Sequence, residues 1–338
     1  MRTSDNDFFD SKTIHRFYTL CRRLYTRAFY PKQPLQFERD PDIAGERIYN
    51  LLQGDKPCMI ARFGANELIL VFNYLRITQH KGDVWGYITR KNGPWWWNKQ
   101  ILWQMANGAG FFPLTHEALS SFCEIMLKDM EQVDVLGSWL REESTIQDRL
   151  SNSYKVALPC LEPWFEKNPW TRALEGKKVL VVHPFVEQIQ QQYLKRELLF
   201  NNNLLPNFSS LMTVKAVQSY GGGGEKSCGF PSWEKALQHM KNQIDNHDYD
   251  IAILGCGAYG FPLAAHIKRS GKKAIHLGGV SQLLFGITGK RWLDPDHGVQ
   301  RWGIPYNFYN ELKNEHWVRP SQDTKPIKPE NVEGACYW

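Results

Sequence analysis

Short, wholly apolar runs alternate along this chain with longer stretches in which apolar residues recur at helical spacing. A strand buried on both faces reads as a continuous apolar run, whereas a surface helix reads as a stripe. By that criterion residues 57–62, 133–137, 178–185, 214–218, 251–254 and 273–277 are strands. Residues 43–53, 68–75, 115–131, 187–200, 233–246 and 262–269 are helices. Residues 85–113 are aromatic and rich in turn formers, and 159–176 read as a loop with a short helix. Strand–helix alternation of this kind predicts an α/β, Rossmann-like, doubly wound and mostly parallel sheet with flanking helices. No Pro- or Ser-rich linker interrupts it, so 41–310 reads as one domain. An amphipathic helical segment precedes it at 1–40, and an irregular C-terminal tail follows at 311–338.

The most informative stretch is 248–291. Its first strand runs into Gly255-Cys256-Gly257-Ala258-Tyr259-Gly260, then a helix, a Gly271 stop and a second strand. Glycines at such a turn let backbone N–H groups approach a phosphate or ribose at a helix N-terminus. This makes Gly255, Gly257, Tyr259 and Gly260 candidate ligand contacts. A dinucleotide site wants a carboxylate about 20 residues on, at the end of the second strand. His276 stands there instead, which argues against NAD or FAD and leaves His276 to meet a ribose or base. The structural alternative is a tight turn with no ligand.

A second strand–Gly turn–helix junction reads Arg62-Phe63-Gly64-Ala65-Asn66-Glu67. Glu67 is a candidate metal ligand or catalytic carboxylate; its alternative is a first-turn Glu favoured by the helix dipole. Arg62 faces a phosphate or pairs with Glu67. His183 ends the 178–185 strand at the ligand edge of the sheet, as a general base, a phosphate contact or a buried structural histidine. Ser219 precedes the run Gly221–Gly224, which reads as a lid or a flexible loop. Asp134 is equally a hydroxyl-binding residue or a strand-end cap, and Trp95, Trp96 and Trp97 are either an acceptor-sugar platform or loop packing.

The net charge of +6 in 338 residues fits an anionic substrate and is too small and dispersed for nucleic acid. Seven scattered cysteines with no C-x-x-C spacing point to a reducing compartment rather than disulfides or a zinc site. The charged N-terminus shows no apolar signal region, and no run of about 18 apolar residues is present. Thirteen Trp and 14 Tyr favour sugar-stacking chemistry or simply large cores. In residues 12–30, Phe17, Leu20, Cys21, Leu24 and Ala28 share a helical face flanked by Arg16, Arg22, Arg23 and Arg27, with Pro31 as the stop. Such a helix lies on an anionic membrane surface or docks on its own domain.

Two segments together carry a resemblance. Arg62 to Leu68 resembles the RFGDGE-type strand–turn of the GT-D fold glycosyltransferases, and 253–278 resembles that family's late β-α-β unit. The chain also looks like proteins of bacterial capsule and surface-polysaccharide gene clusters. The resemblance covers roughly 45–290. It implies a cytoplasmic or peripherally membrane-bound enzyme that moves a sugar from a nucleotide-sugar donor to a glycan or lipid-linked acceptor. It implies Arg62, Gly64, Asn66, Ser219, the glycine turn and His276 around the donor, and Glu67 and His183 in catalysis. It also implies a divalent metal, Mn2+ or Mg2+, on a D-x-E pair. Ala65 replaces the first acid of that pair, leaving Glu67 as the metal ligand or basic residues in the metal's place. The alternatives are an NAD(P) oxidoreductase, an S-adenosylmethionine methyltransferase or a non-catalytic scaffold.

Overall fold

In the computed structural model, which describes residues 13–29, 36–79, 82–202 and 204–338, seven strands form one all-parallel sheet. They are β1 (Cys58–Arg62), β2 (Val135–Ser138), β3 (Tyr154–Ala157), β4 (Lys178–His183), β5 (Ser210–Lys215), β6 (Ile251–Leu254) and β7 (Lys273–His276). The order is β3-β2-β1-β7-β6-β4-β5. The protein therefore has the α/β, Rossmann-like fold expected from its alternating pattern.

Successive strand residues serve opposite cores. Met59, Ala61, Leu180, Val182, Ala252 and Leu254 pack under the helices Ala65–Thr78, His116–Asp129, Trp233–Asp245 and Gly260–Arg269. Cys58, Ile60, Val179, Val181, Ile251 and Ile253 pack on the other face against Pro41–Gln53 and Val186–Tyr193. Burial on both faces is why these strands read as unbroken apolar runs.

The two edge strands break that rule. β3 escaped the sequence reading, and β5 begins at Ser210 rather than at 214. Each is covered less completely than the central strands and carries polar residues such as Lys155, Ser210 and Thr213, so an apolar-run criterion passes over it. The helix expected over 187–200 divides into Val186–Tyr193 and Arg196–Leu199. The aromatic, turn-rich stretch at 85–113, given no element from the sequence, takes up most of helix Val84–Ile88 and all of Lys99–Asn107. Pro31, read as a helix stop, lies outside the described residues, and the helix itself is Thr13–Phe29.

The backbone of 311–338 is largely irregular, yet Val332, Cys336 and Trp338 are buried. The Trp338 indole donates to the Thr324 carbonyl at 3.1 Å, and the Arg291 amide donates to the Cys336 carbonyl at 2.9 Å. This tail is a part of the core cluster on the second face.

Chain direction creates a crevice. From β1 the chain steps outward to β2 and β3, then restarts on the far side at β4 and returns through β6 to β7, beside β1. Chain direction diverges between β4, which leads outward to β5, and β6, which leads the other way to β7; open parallel sheets bind ligands beyond the strand carboxyl ends at such a point.

Candidate functional site

A cavity of about 540 Å³ occupies that crevice, within the range of small-molecule sites. Its floor is made by the strand ends: Arg62 and Gly64 after β1, His183 after β4, Gly255 and Gly257 after β6, and His276 and Gly278 after β7. Helices remote from it are capped by Asp40, Asn98, Thr115 and Ser232 side chains. The three that begin at this edge, Ala65–Thr78, Val186–Tyr193 and Gly260–Arg269, have no N-cap side-chain bond. The first turn of Ala65–Thr78 lines the cavity and turns its open amides toward it, whereas the Gly260 amide is already bonded to the Gly257 carbonyl.

Arg62 is the distinctive group. Its guanidinium stacks over the Trp139 ring at 4.9 Å and makes no hydrogen bond or ion pair with any described residue. Burial pushes it below its ordinary pKa, although guanidinium stays charged. A second guanidinium, Arg301, lies 4.7 Å from the same ring and donates to the Trp139 carbonyl at 3.2 Å. Arg291, also on the wall, pairs with Glu333. The cavity thus holds a half-buried guanidinium whose N–H donors meet no acceptor among the described residues, which favours an anion as its partner.

The two histidines are both neutral. Burial depresses each to about 3, helped at His276 by the Arg62 charge. Nδ1 of His183 accepts the Phe185 amide at 3.0 Å, so its proton is on Nε2. His276 is the opposite tautomer: Nδ1 lies 3.3 Å from the Leu254 carbonyl and must donate. His183 therefore presents an N–H to a ligand, and His276 presents a lone pair. A general-base role for His183 fits this geometry poorly, because its basic nitrogen is already occupied.

Two carboxyls remain for proton chemistry. Glu67 folds back over Gly64, where any Cβ would collide with its carboxyl. Burial raises its pKa, while a bond from its own amide and the Arg62 charge oppose the rise. Glu162 was not singled out from sequence, since a lone acid in a loop carries no pattern. Its Oε2 accepts from Tyr309 Oη at 2.8 Å and Trp164 Nε1 at 3.0 Å. Burial pushes it up to about 8. Tyr309, Arg291, Arg301, Glu333 and Tyr337 likewise reach the cavity only through the folding back of 291–338.

The structure brings together Arg62, Gly64, Asn66, Glu67, His183, Gly255, Gly257 and His276. It does not bring Ser219, Tyr259 or Gly260 to the cavity wall. Ser219 Oγ donates to the Gly110 carbonyl at 2.6 Å and lies 3.0 Å from the Tyr259 hydroxyl, and the Tyr259 ring stacks on Trp233. Gly260 is covered by the His276 ring. The glycines at 255 and 257 are also required by packing: a Cβ at 255 would strike Ser281 and His183, and one at 257 would strike the Tyr220 hydroxyl.

No family model, curated protein or solved structure matches the chain. The remaining assignments rest on geometry. Asp134 caps the amino end of β1, accepting the Met59 amide at 2.8 Å and Lys268 Nζ at 2.7 Å, so it is remote from the cavity. Gly221–Gly224 form a turn bonded to the Asn107 carbonyl and packed against Lys328 and Phe112. Trp96 and Trp97 are buried in packing: the first stacks on His15 at 3.8 Å, and the second donates to His116 Nδ1 at 2.9 Å.

The residues fit a resident divalent metal poorly. Among the described residues no three His, Cys, Asp or Glu side chains form a cluster. Glu67 is one carboxylate beside the Arg62 cation, with Ala65 where a second acid would be. Oxygen-rich sets hold Mg2+ and Mn2+, and the neighbours here are guanidiniums, a backbone-bonded imidazole and Glu333, whose carboxylate is taken by Arg291.

Proposed function

We propose that the protein is a glycosyltransferase that binds a nucleotide-sugar donor in the crevice and transfers its sugar to a glycan or glycoconjugate acceptor, in bacterial surface-polysaccharide synthesis. The observation that carries this reading is Arg62: a half-buried guanidinium that feels the Glu67 charge yet is hydrogen-bonded or ion-paired by no described residue, stacked on Trp139 at the carboxyl edge of β1. A donor pyrophosphate takes up its open N–H donors, and the same guanidinium stabilises the leaving phosphate as the glycosidic bond breaks. The Nε2–H of His183 adds a neutral donor, and Arg301 adds a second cation. Glu67, not His183, receives the proton of the acceptor hydroxyl, and Glu162, held protonated by burial, stays an acid. Aromatic walls at Trp139, Trp292, Trp302 and Tyr337 suit a sugar ring. Charge neutralisation by arginine makes the reaction independent of divalent metal.

The test is thermal unfolding of wild type, Arg62→Ala and Arg62→Lys with UDP-, GDP-, dTDP- and CMP-sugars, NAD(P) and S-adenosylmethionine, with Mn2+ or EDTA. A ligand specific for the native state raises the midpoint by mass action. One nucleotide sugar is expected to raise it equally in Mn2+ and EDTA, and Arg62→Ala to abolish the rise. Arg62→Lys should restore part of it, because charge survives but the planar fork does not. A response confined to NAD(P) or S-adenosylmethionine would overturn the reading, as would an undiminished response in Arg62→Ala.

A further inference from the structure

The helix Thr13–Phe29 is docked by the wrong face for an ordinary surface helix. Such helices bury their apolar stripe and leave polar residues in water. Here the docked side is His15, Tyr18, Thr19 and Arg22. His15 stacks on Trp96 at 3.8 Å, and Thr19 Oγ1 lies 3.0 Å from the Tyr87 hydroxyl. Arg22 donates to the Tyr87 and Asn92 carbonyls, the latter at 2.7 Å, and covers the Tyr87 ring at 4.5 Å. These contacts fix the rotation of the helix about its axis.

The apolar stripe is turned outward. Ile14, Phe17, Leu20 and Leu24 are 49%, 61%, 53% and 62% exposed. At ~100° per residue they fall within an arc of about 120°, roughly opposite the docked side. Arg16, Arg23 and Arg27 are exposed along one border of that arc. No Asp or Glu occurs anywhere in the helix. An isolated exposed leucine needs no explanation, but a continuous apolar stripe on a fixed helix does.

We propose that this stripe is an in-plane anchor for an anionic phospholipid surface. The apolar side chains enter the acyl boundary while the arginine row meets the headgroup phosphates. Charge complementarity selects this occupant. Pairing the stripe with an antiparallel second copy of the helix would bring two arginine rows together, and in either orientation neither helix offers an acid to meet the other's arginines. No helix among the described residues is long and apolar enough to cross a membrane, so the contact lies on the surface. The proposal is independent of the ligand in the crevice.

The test is sedimentation of the full chain with extruded vesicles of pure phosphatidylcholine or of phosphatidylcholine with phosphatidylglycerol. Because the stripe is exposed, Phe17→Ser/Leu24→Ser leaves the fold intact, checked by an unchanged unfolding midpoint. Wild type is expected to sediment with the anionic vesicles, weakly with neutral ones and less at high salt. The Phe17→Ser/Leu24→Ser variant should lose roughly tenfold or more in partitioning. Arg16→Glu/Arg23→Glu/Arg27→Glu should lose the preference for anionic lipid. Failure of wild type to sediment, or equal sedimentation of the serine variant, overturns the anchor. So does a dimer in light scattering that the serine variant converts to monomer, which would give the stripe to a second copy.

Discussion

At the scale of single residues, the same chemical type plays unlike parts according to its neighbours. Arg62 and Arg291 both reach the crevice, but Arg291 is ion-paired with Glu333, while Arg62 feels the Glu67 charge without an ion pair or hydrogen bond to any described residue. Ser219 and Tyr259 looked like ligand contacts beside glycine-rich turns. Their hydroxyls instead satisfy each other and the Gly110 carbonyl behind the wall. Ser219→Ala is therefore expected to cost about 1–3 kcal/mol in urea unfolding, while, on the proposed function, the midpoint rise with a nucleotide sugar stays as large as in wild type. A lost ligand response with intact stability would place Ser219 in the site after all.

At the scale of elements, parallel strands bring every carboxyl end to one edge, so residues over 200 positions apart in sequence become neighbours. Arg62 and His276 meet because β1 pairs with β7. The C-terminal segment closes the crevice from above: Glu333, Tyr337 and Trp338 line it, and the Trp338 carbonyl accepts the Lys290 amide at 3.2 Å. Deleting residues 329–338 removes buried Val332, Cys336 and Trp338 and opens the cavity. The expected result is a midpoint lower by several degrees and no response to any nucleotide sugar, read in the same thermal assay. A truncated chain as stable as wild type would show that the segment is dispensable.

At the scale of the whole molecule, burial of ionisable groups sets how stability follows pH. Glu162 and Glu166 are pushed up to about 8 from 4.5. Above pH 4.5 the folded state holds protons that the unfolded chain releases, so their contribution falls as pH rises and is lost through pH 8. His183 and His276 are pushed down to about 3 from 6.5. Their contribution is present above pH 6.5 and is lost as pH falls toward 3. The two pairs oppose each other between pH 4.5 and 6.5, and the carboxyls act without the histidines above it. Urea unfolding is expected to show stability falling from pH 6.5 to 8, with a shallower fall in Glu162→Gln. Parallel slopes in the two proteins would contradict the assignment.

The sequence by itself determined the fold class and one side of the site. Central strands are buried on both faces, so their apolar runs declared them, and the residues just after them, Arg62, Gly64, Glu67, His183, Gly255 and His276, were legible because strand ends have a position in any parallel sheet. The tertiary structure alone decided the rest. Arg291, Arg301 and Tyr309 come from helical turns too short to show a period and enter the cavity through the return of the chain over its own crevice, while Glu162 enters from the short turns that follow β3. Rotation of the Thr13–Phe29 helix was equally illegible: periodicity shows a stripe, while polar contacts with Trp96, Tyr87 and Asn92 choose which way it faces. Local pattern encodes what a residue's own element must bury. Partners distant in sequence decide what remains unburied and unpaired, and that remainder forms the site.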